Sequence, residues 1–409
     1  MLPQVRSPLT LTDLWLSIWN CRDDRSEEFE QAFAAFFDFP YGLIFPYARS
    51  ALHALITAAG WRTQKILCPA YTCAVVPLTI ALSQNAAELV DSAPDHFLPG
   101  VAEWKKKVTP DTRMMIVTPL YGYPVDKSSE TRARETAPGI FVLYDEAQAV
   151  GASDGAGWQA RDADGALFSL GIGKLLPALS GGVLLLRDAS GYREIRALRD
   201  SRCTKPALSK LTRRVLRGVA VWAALREPVF SVLLRAGRIF PAFSFDRIGD
   251  RELTETEFPR DVLSLPSSYQ VQIGLRQLER LNLLTATRRK IGAYYDRRLG
   301  EEGFQTFPHG AIPTWTRYPL AVGDRSKVIA VSANGGIQLG SFLRYSCASA
   351  AIVQNDPSSC RNSRKWSRCM VNLPNWQGIS IADAERCVTL LLRLRDQDRH
   401  AVALPVAAE

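Results

Sequence analysis

An acid, a serine and a lysine carry the first chemistry this sequence offers. Asp145 follows the apolar run 140–144, and Lys174 ends the small-residue stretch Phe168-Ser169-Leu170-Gly171-Ile172-Gly173-Lys174. A second apolar run, 183–186, begins after Gly181-Gly182. Short apolar runs bounded by glycines or acids read as buried strands. The acid therefore sits at a strand end, and the serine and lysine lie in a glycine-rich loop. A lysine amine forms a Schiff base with an aldehyde, while a carboxylate can keep a ring nitrogen protonated so that the ring accepts electrons. The pair suits pyridoxal phosphate, with Lys174 and Asp145 as catalytic residues. Ala48-Arg49-Ser50-Ala51-Leu52 opens a helix after the strand-like run 41–46. A helix N-terminus presents unpaired N–H groups and positive dipole, so Ala48 and Arg49 form a phosphate seat if Ser169 lies beside them. Taken singly, these residues read as a surface acid, a solvated lysine and a capped helix; taken together they favour catalysis.

Asp145-Glu146-Ala147-Gln148-Ala149, the 168–174 stretch and Gly181-Gly182 together resemble the DegT/DnrJ/EryC1/StrS aminotransferases, over roughly residues 27–395. The resemblance implies an α/β fold, the fold-type-I pyridoxal phosphate transferase, with a mostly parallel central sheet and a smaller C-terminal α+β domain. It assigns Lys174 to the cofactor aldehyde, Asp145 to the ring nitrogen, Gln148 to the ring oxygen, and Ser169 with Ala48 and Arg49 to the phosphate. Cys73 stands where the family has an aromatic residue stacked on the ring, leaving Tyr71 or Tyr121 to supply that contact. Ala48 replaces a family glycine, and Leu263-Ser264-Leu265 replaces an Asn-Tyr-Arg loop that reaches the partner subunit's cofactor phosphate. The implied reaction moves an amino group from an amino acid donor, glutamate by analogy, to a keto-sugar carried on a nucleotide. The products feed surface polysaccharide or glycoconjugates. A homodimer is implied as well. Sugar dehydratases of the family carry histidine at the lysine position, so Lys174 points to transamination. The alternative is a catalytically altered, regulatory or membrane-associated relative.

The 409 residues have a net charge of +9 and a hydrophobic content of 47%, as expected of a globular protein favouring anionic partners. Eight cysteines form no CxxC pair and four histidines are scattered, so metal-ligand spacing is absent and a reducing, cytoplasmic setting is expected. No nucleic-acid-binding framework is visible. Leu175 follows Lys174 where a P-loop needs Ser or Thr. No apolar run approaches the roughly 20 residues that span a bilayer, and no signal-peptide core is seen at the N-terminus.

Strand-like runs at 65–69, 88–91 and 113–118 alternate with helical patterns, which implies parallel pairing with ligand groups at the carboxyl ends. The expected organisation is an N-terminal helical segment (1–40), a large cofactor-binding domain (41–299) with a helical insertion at about 190–250, and a small domain (300–409). Within the insertion, 213–238 is basic and apolar together. Packing on the enzyme or its partner is favoured there over contact with an anionic membrane. A helix is expected over 269–281 and another over 382–394, with 355–365 as a mobile loop.

Overall fold

The computed structural model describes all residues except 20–23, 207, 225, 227–228, 230–231, 233–256, 259–261, 309, 351–358 and 403–409. Its large sheet is built from β1 (Tyr41–Phe45), β2 (Lys65–Pro69), β3 (Ala86–Val90), β4 (Thr112–Val117), β5 (Phe141–Asp145), β6 (Gly165–Ser169) and β7 (Gly182–Leu186). The spatial order is β1-β7-β6-β5-β4-β2-β3. From β3 to β6 every pairing is parallel. β7 runs antiparallel to both β6 and β1. β7 is buried along its whole length and β5 along all but its first residue, because helices cover both faces of such a sheet and leave no solvated side for polar alternation.

The sequence did not mark β6 as a strand. Ser169, expected within a loop, closes β6 opposite Gly182 of β7. Its brevity and small residues hid it, and no helix intervenes before β7, so the chain returns antiparallel without a crossover.

Helices Ser268–Glu279 and Leu281–Glu301 lead to a second, two-stranded antiparallel sheet of β8 (Tyr318–Ala321) and β9 (Met370–Leu373). Helices Arg325–Asn334, Arg361–Cys369 and Ile381–Gln397 accompany it. The second half of the stretch read as a mobile loop, 355–365, enters helix Arg361–Cys369, while 351–358 lies outside the described residues. Asp91 caps that helix, accepting from Asn362 N and Ser363 N, and so ties it to the end of β3. The first residues of the chain also reach the small sheet's neighbourhood: Leu2 bridges Ile337, and Trp376 donates to the Pro3 carbonyl at 2.9 Å.

The basic 213–238 segment starts inside helix Leu208–Ala224, where Leu216 and Val219 are exposed. Most of the rest of that segment, and the insertion from 233 to 250, lie outside the described residues. Among the described residues no helix is long and apolar enough to cross a membrane, and no cluster of His, Cys, Asp or Glu is placed to hold a metal.

Candidate active site

The parallel strands β2, β4, β5 and β6 end on one edge of the sheet, and the candidate residues lie on the loops beyond them. Asp145 is the last residue of β5, only 6% exposed, and its Oδ1 accepts from Ala147 N at 3.1 Å. Burial pushes its pKa up; the Ala147 N–H and the Lys174 ammonium oppose that rise. The two side chains proposed as catalytic thus share one electrostatic neighbourhood. Lys174 is half-buried, in a turn closed by its own N–H on the Gly171 carbonyl. A Cβ at Gly171 would lie 3.7 Å from Lys174 Cγ and 3.8 Å from Ser169 Oγ, so the serine and lysine converge on this glycine.

The phosphate seat assembles from three pieces distant in sequence. Ser169 pairs with Gly182, and Gly181 bridges Tyr47. A Cβ at Gly182 would fall 2.4 Å from Ala48 N, so only glycine allows this strand to press against the start of helix Ala48–Ala58. Tyr47 gives that helix no side-chain cap, and its N-terminus, with the dipole's positive end, lies against Gly182, the strand partner of Ser169. Ala48 and Arg49 are half-buried there, and the Arg49 guanidinium lies over the Tyr47 ring.

Gln148 follows Asp145 in a short 3₁₀ turn and is 8% exposed. Its Nε2, with Thr72 Oγ1 and Thr118 Oγ1, is buried with no hydrogen-bond partner among the described residues. Buried polar groups are nearly always satisfied. Three orphans at the carboxyl edge, beside a lysine amine, a strand-end carboxylate and a helix N-terminus, fit the ring substituents and phosphate of pyridoxal phosphate. Neighbouring Glu146 is fully buried, accepts from Gln159 Nε2 at 3.3 Å, and is pushed up to about 8 by burial.

Cys73 is half-buried in the turn after Thr72. The two tyrosines considered for the ring contact are joined to each other. Tyr71 and Tyr121 are fully buried with their hydroxyls 2.8 Å apart, and Tyr71 also donates to the Leu343 carbonyl. Tyr121 holds φ = 59°, a left-handed conformation rare for a bulky residue and concentrated at functional loops.

Reading the sequence missed the contribution of residues 316–347. Thr316 Oγ1 donates to the Gln148 carbonyl at 2.6 Å. Tyr345 Oη accepts from Ala74 N, and Cys347 N donates to the Ala70 carbonyl. Phe342 places its ring centroid 5.8 Å from Lys174 Nζ and 4.4 Å from Arg317 Cζ. None of these residues sits in a motif. The available signal was Arg317 itself, a charge at the head of the apolar run 318–322.

The 263–268 loop packs on its own chain: Thr204 bridges Ser264, and Pro266 touches the Gly181 region. Ser267 forms a capping box with Gln270, whose Nε2 donates to Ser180 Oγ at 2.8 Å.

The sequence profile of the DegT/DnrJ/EryC1/StrS aminotransferase family matches residues 9–221 and 267–392. Among curated proteins, the chain is 29% identical over 188 residues to the erythromycin biosynthesis sensory transduction protein EryC1 of Saccharopolyspora erythraea, covering 44% of this chain and 50% of that protein. The chain thus spans half the length of that relative. It is 24% identical over 376 residues to GDP-perosamine synthase of Caulobacter vibrioides, covering 89% and 88% of the two chains. The crystal structure of the aminotransferase TlmJ from Streptoalloteichus hindustanus superimposes with a TM-score of 0.73 at 19% identity, covering 98% of this chain and all of that one. At that identity the likeness establishes the fold.

Proposed function

The chain belongs to the DegT/DnrJ/EryC1/StrS aminotransferase family, and from that premise we propose that it transfers an amino group from an amino acid donor, glutamate by preference, to a keto-sugar carried on a nucleotide. Its product serves surface polysaccharide or glycoconjugate biosynthesis. The observation that carries this reading is the convergence of Lys174 and Ser169 on Gly171, with the contact of Gly182 against Ala48 beside them and the buried Asp145 on the same sheet edge.

Pyridoxal phosphate, when bound, supplies an aldehyde for an amine and a ring that accepts the electron pair left at the donor's α-carbon. Lys174 would hold the aldehyde, and its Nζ would be the group to move a proton at the donor's α-carbon. Asp145 holds a proton at the ring nitrogen. Burial raises its pKa, and the Ala147 N–H and the Lys174 cation work against that rise, favouring the charged form a ring N–H would meet. Gln148 Nε2 donates to the ring oxygen, held in place by Thr316 on its carbonyl. Ser169 and the N–H groups at Ala48 and Arg49 bind the phosphate. Cys73, half-buried in the turn after Thr72, would offer a sulfur to the ring in place of an aromatic face.

The enzyme acts as a homodimer in the cytoplasm. Leu263, exposed in the loop that replaces the family's cross-subunit segment, supports a partner surface there. The nucleotide substrate agrees with the net positive charge, and GDP-perosamine synthase, matched along most of this chain, is named for a nucleotide-sugar.

Incubation with pyridoxal phosphate, borohydride reduction and peptide mass spectrometry test the assignment. The expected result is a single modified peptide containing Lys174. Modification at another lysine, or none, would overturn it. A mass-based screen of keto-sugar nucleotides with glutamate then identifies the acceptor.

A further inference from the structure

Arg317 is a recessed cation without an anion. Among the described residues it makes no ion pair, its Nε is buried without a hydrogen-bond partner, and its guanidinium lies over the Phe342 ring at 4.4 Å. Beneath it Arg288, 4% exposed, gives Nη1 to the carbonyls of Thr316 and Asn375 at 2.7 and 2.5 Å. Two guanidiniums withdrawn from water near one another are costly unless an anion joins them. Burial lowers Arg317 to about 10 and, with Arg317's repulsion, Arg288 to about 9. Both stay charged near neutrality. A π face eases a cation but supplies no net charge.

The position of this cation is fixed by loops from three neighbouring strands. Tyr121, following β4, acts electrostatically on Arg317. Gln148, following β5, is bonded by Thr316, the residue next to it. Lys174, following β6, shares the Phe342 ring, with Nζ 5.8 Å from its centre. Arg317 therefore belongs beside the proposed reacting amine, although it comes from the chain's C-terminal part.

Resting on the transaminase reading, we propose that Arg317 receives the α-carboxylate of the amino acid donor, with Arg288 as a positioning residue beneath it. The donor's carboxylate and amine share one carbon, so the carboxylate must sit near Lys174, and Arg317 Cζ and Lys174 Nζ lie 4.4 and 5.8 Å from the same Phe342 ring centre. A nucleotide diphosphate is separated from the reacting carbon by the sugar ring and calls for a cation farther off. The planar fork of arginine also matches a carboxylate through two parallel hydrogen bonds.

The test uses the full-length protein loaded with pyridoxal phosphate. Loss of a hydrogen bond to a charged partner predicts that Arg317→Gln weakens calorimetric binding of 2-oxoglutarate about 10- to 100-fold. The KM for glutamate in the donor half-reaction should rise similarly, while binding of a nucleoside diphosphate holds. Arg317→Lys keeps the charge without the fork and should fall between the two, which keeps the test open if the glutamine variant does not fold. Weakened diphosphate binding with 2-oxoglutarate unchanged would assign the anion to the nucleotide and overturn the proposal. So would unchanged binding of both. Dicarboxylate binding needs no turnover, so it reads separately from cofactor capture at Lys174.

Discussion

Asp13 and Asp145 are both carboxylates removed from water, and their surroundings are unlike. Asp13 accepts from Arg280 Nη2 at 2.6 Å, Thr10 N at 2.9 Å, Gln277 Nε2 at 3.1 Å and Arg276 Nε at 3.2 Å. Burial pushes its pKa up, but the Thr10 hydrogen bonds and Arg280 outweigh that and hold it low. Glu30 is likewise partnered by Arg199 and by Ile44 N, although for it burial outweighs both and raises the pKa. Asp145 has one backbone N–H and a lysine that the proposed chemistry needs elsewhere. Around it Gln148, Thr72 and Thr118 keep unpartnered atoms. The first region fastens helices Leu11–Trp19 and Ser26–Phe36 to the body of the fold, with every charge answered. The second is under-satisfied on one sheet edge. Orphaned atoms alone do not mark a site, since Gln277 Oε1 and Arg280 Nε beside Asp13 are also buried without partners among the described residues. What distinguishes the second region is that its orphans lie with a lysine, a strand-end carboxylate and a helix N-terminus on one sheet edge.

The comparison breaks or sharpens by mutation, the largest effect first. Lys174→Ala should cost at least about 10⁴-fold in transamination while leaving the unfolding midpoint nearly unchanged. Residual turnover within tenfold of the parent would place the catalytic amine elsewhere. Glu30→Ala should do the reverse. It leaves the Arg199 guanidinium, whose side chain is 9% exposed, with only the half-exposed Asp200 as a carboxylate partner among the described residues, at 2.8 Å, and should destabilise by about 1–3 kcal/mol in denaturant titrations. Turnover per folded molecule is preserved, and an equal loss of kcat would erase the distinction between the regions.

A smaller effect lies in pH dependence. Burial raises Glu146 from 4.5 to about 8, so the folded protein keeps a proton that the unfolded chain has already released. Between pH 4.5 and about 8, stability therefore falls as pH rises. Glu146→Gln should flatten that fall, measured as unfolding free energy against pH; an unaltered slope would show that Glu146 ionises normally. Thr316→Val removes the bond to the Gln148 carbonyl and should cost about 1 kcal/mol of stability, with a few-fold weaker hold on the cofactor in dialysis. Stability lost without any change in cofactor retention would make Thr316 purely structural.

Much of the large sheet was legible because its strands are short apolar runs ended by Gly, Pro or Asp, a pattern that needs no tertiary knowledge. β2 and β5 show this most plainly. β6 was not legible: Gly165-Ala166-Leu167-Phe168-Ser169 is brief and small, and only pairing between β5 and β7 makes it a strand. The Lys174 and Asp145 assignments came from residue type and local setting. Tyr71 and Tyr121 were considered for the ring contact because a sequence shows that a residue is aromatic but not which way it faces; both point into the packing.

By itself the sequence determined the alternating α/β plan, the strand-end acid with its lysine-bearing loop, and the family that this pairing resembles. Those features are local: apolar period, turn residues and motif spacing act over a few neighbours. Tertiary structure alone decided the reversal of β7, the pressing of Gly182 on Ala48, and the arrival of Arg317 and Phe342 beside Lys174. Such contacts join residues far apart in the chain, where position depends on how whole elements pack and not on what stands next in sequence.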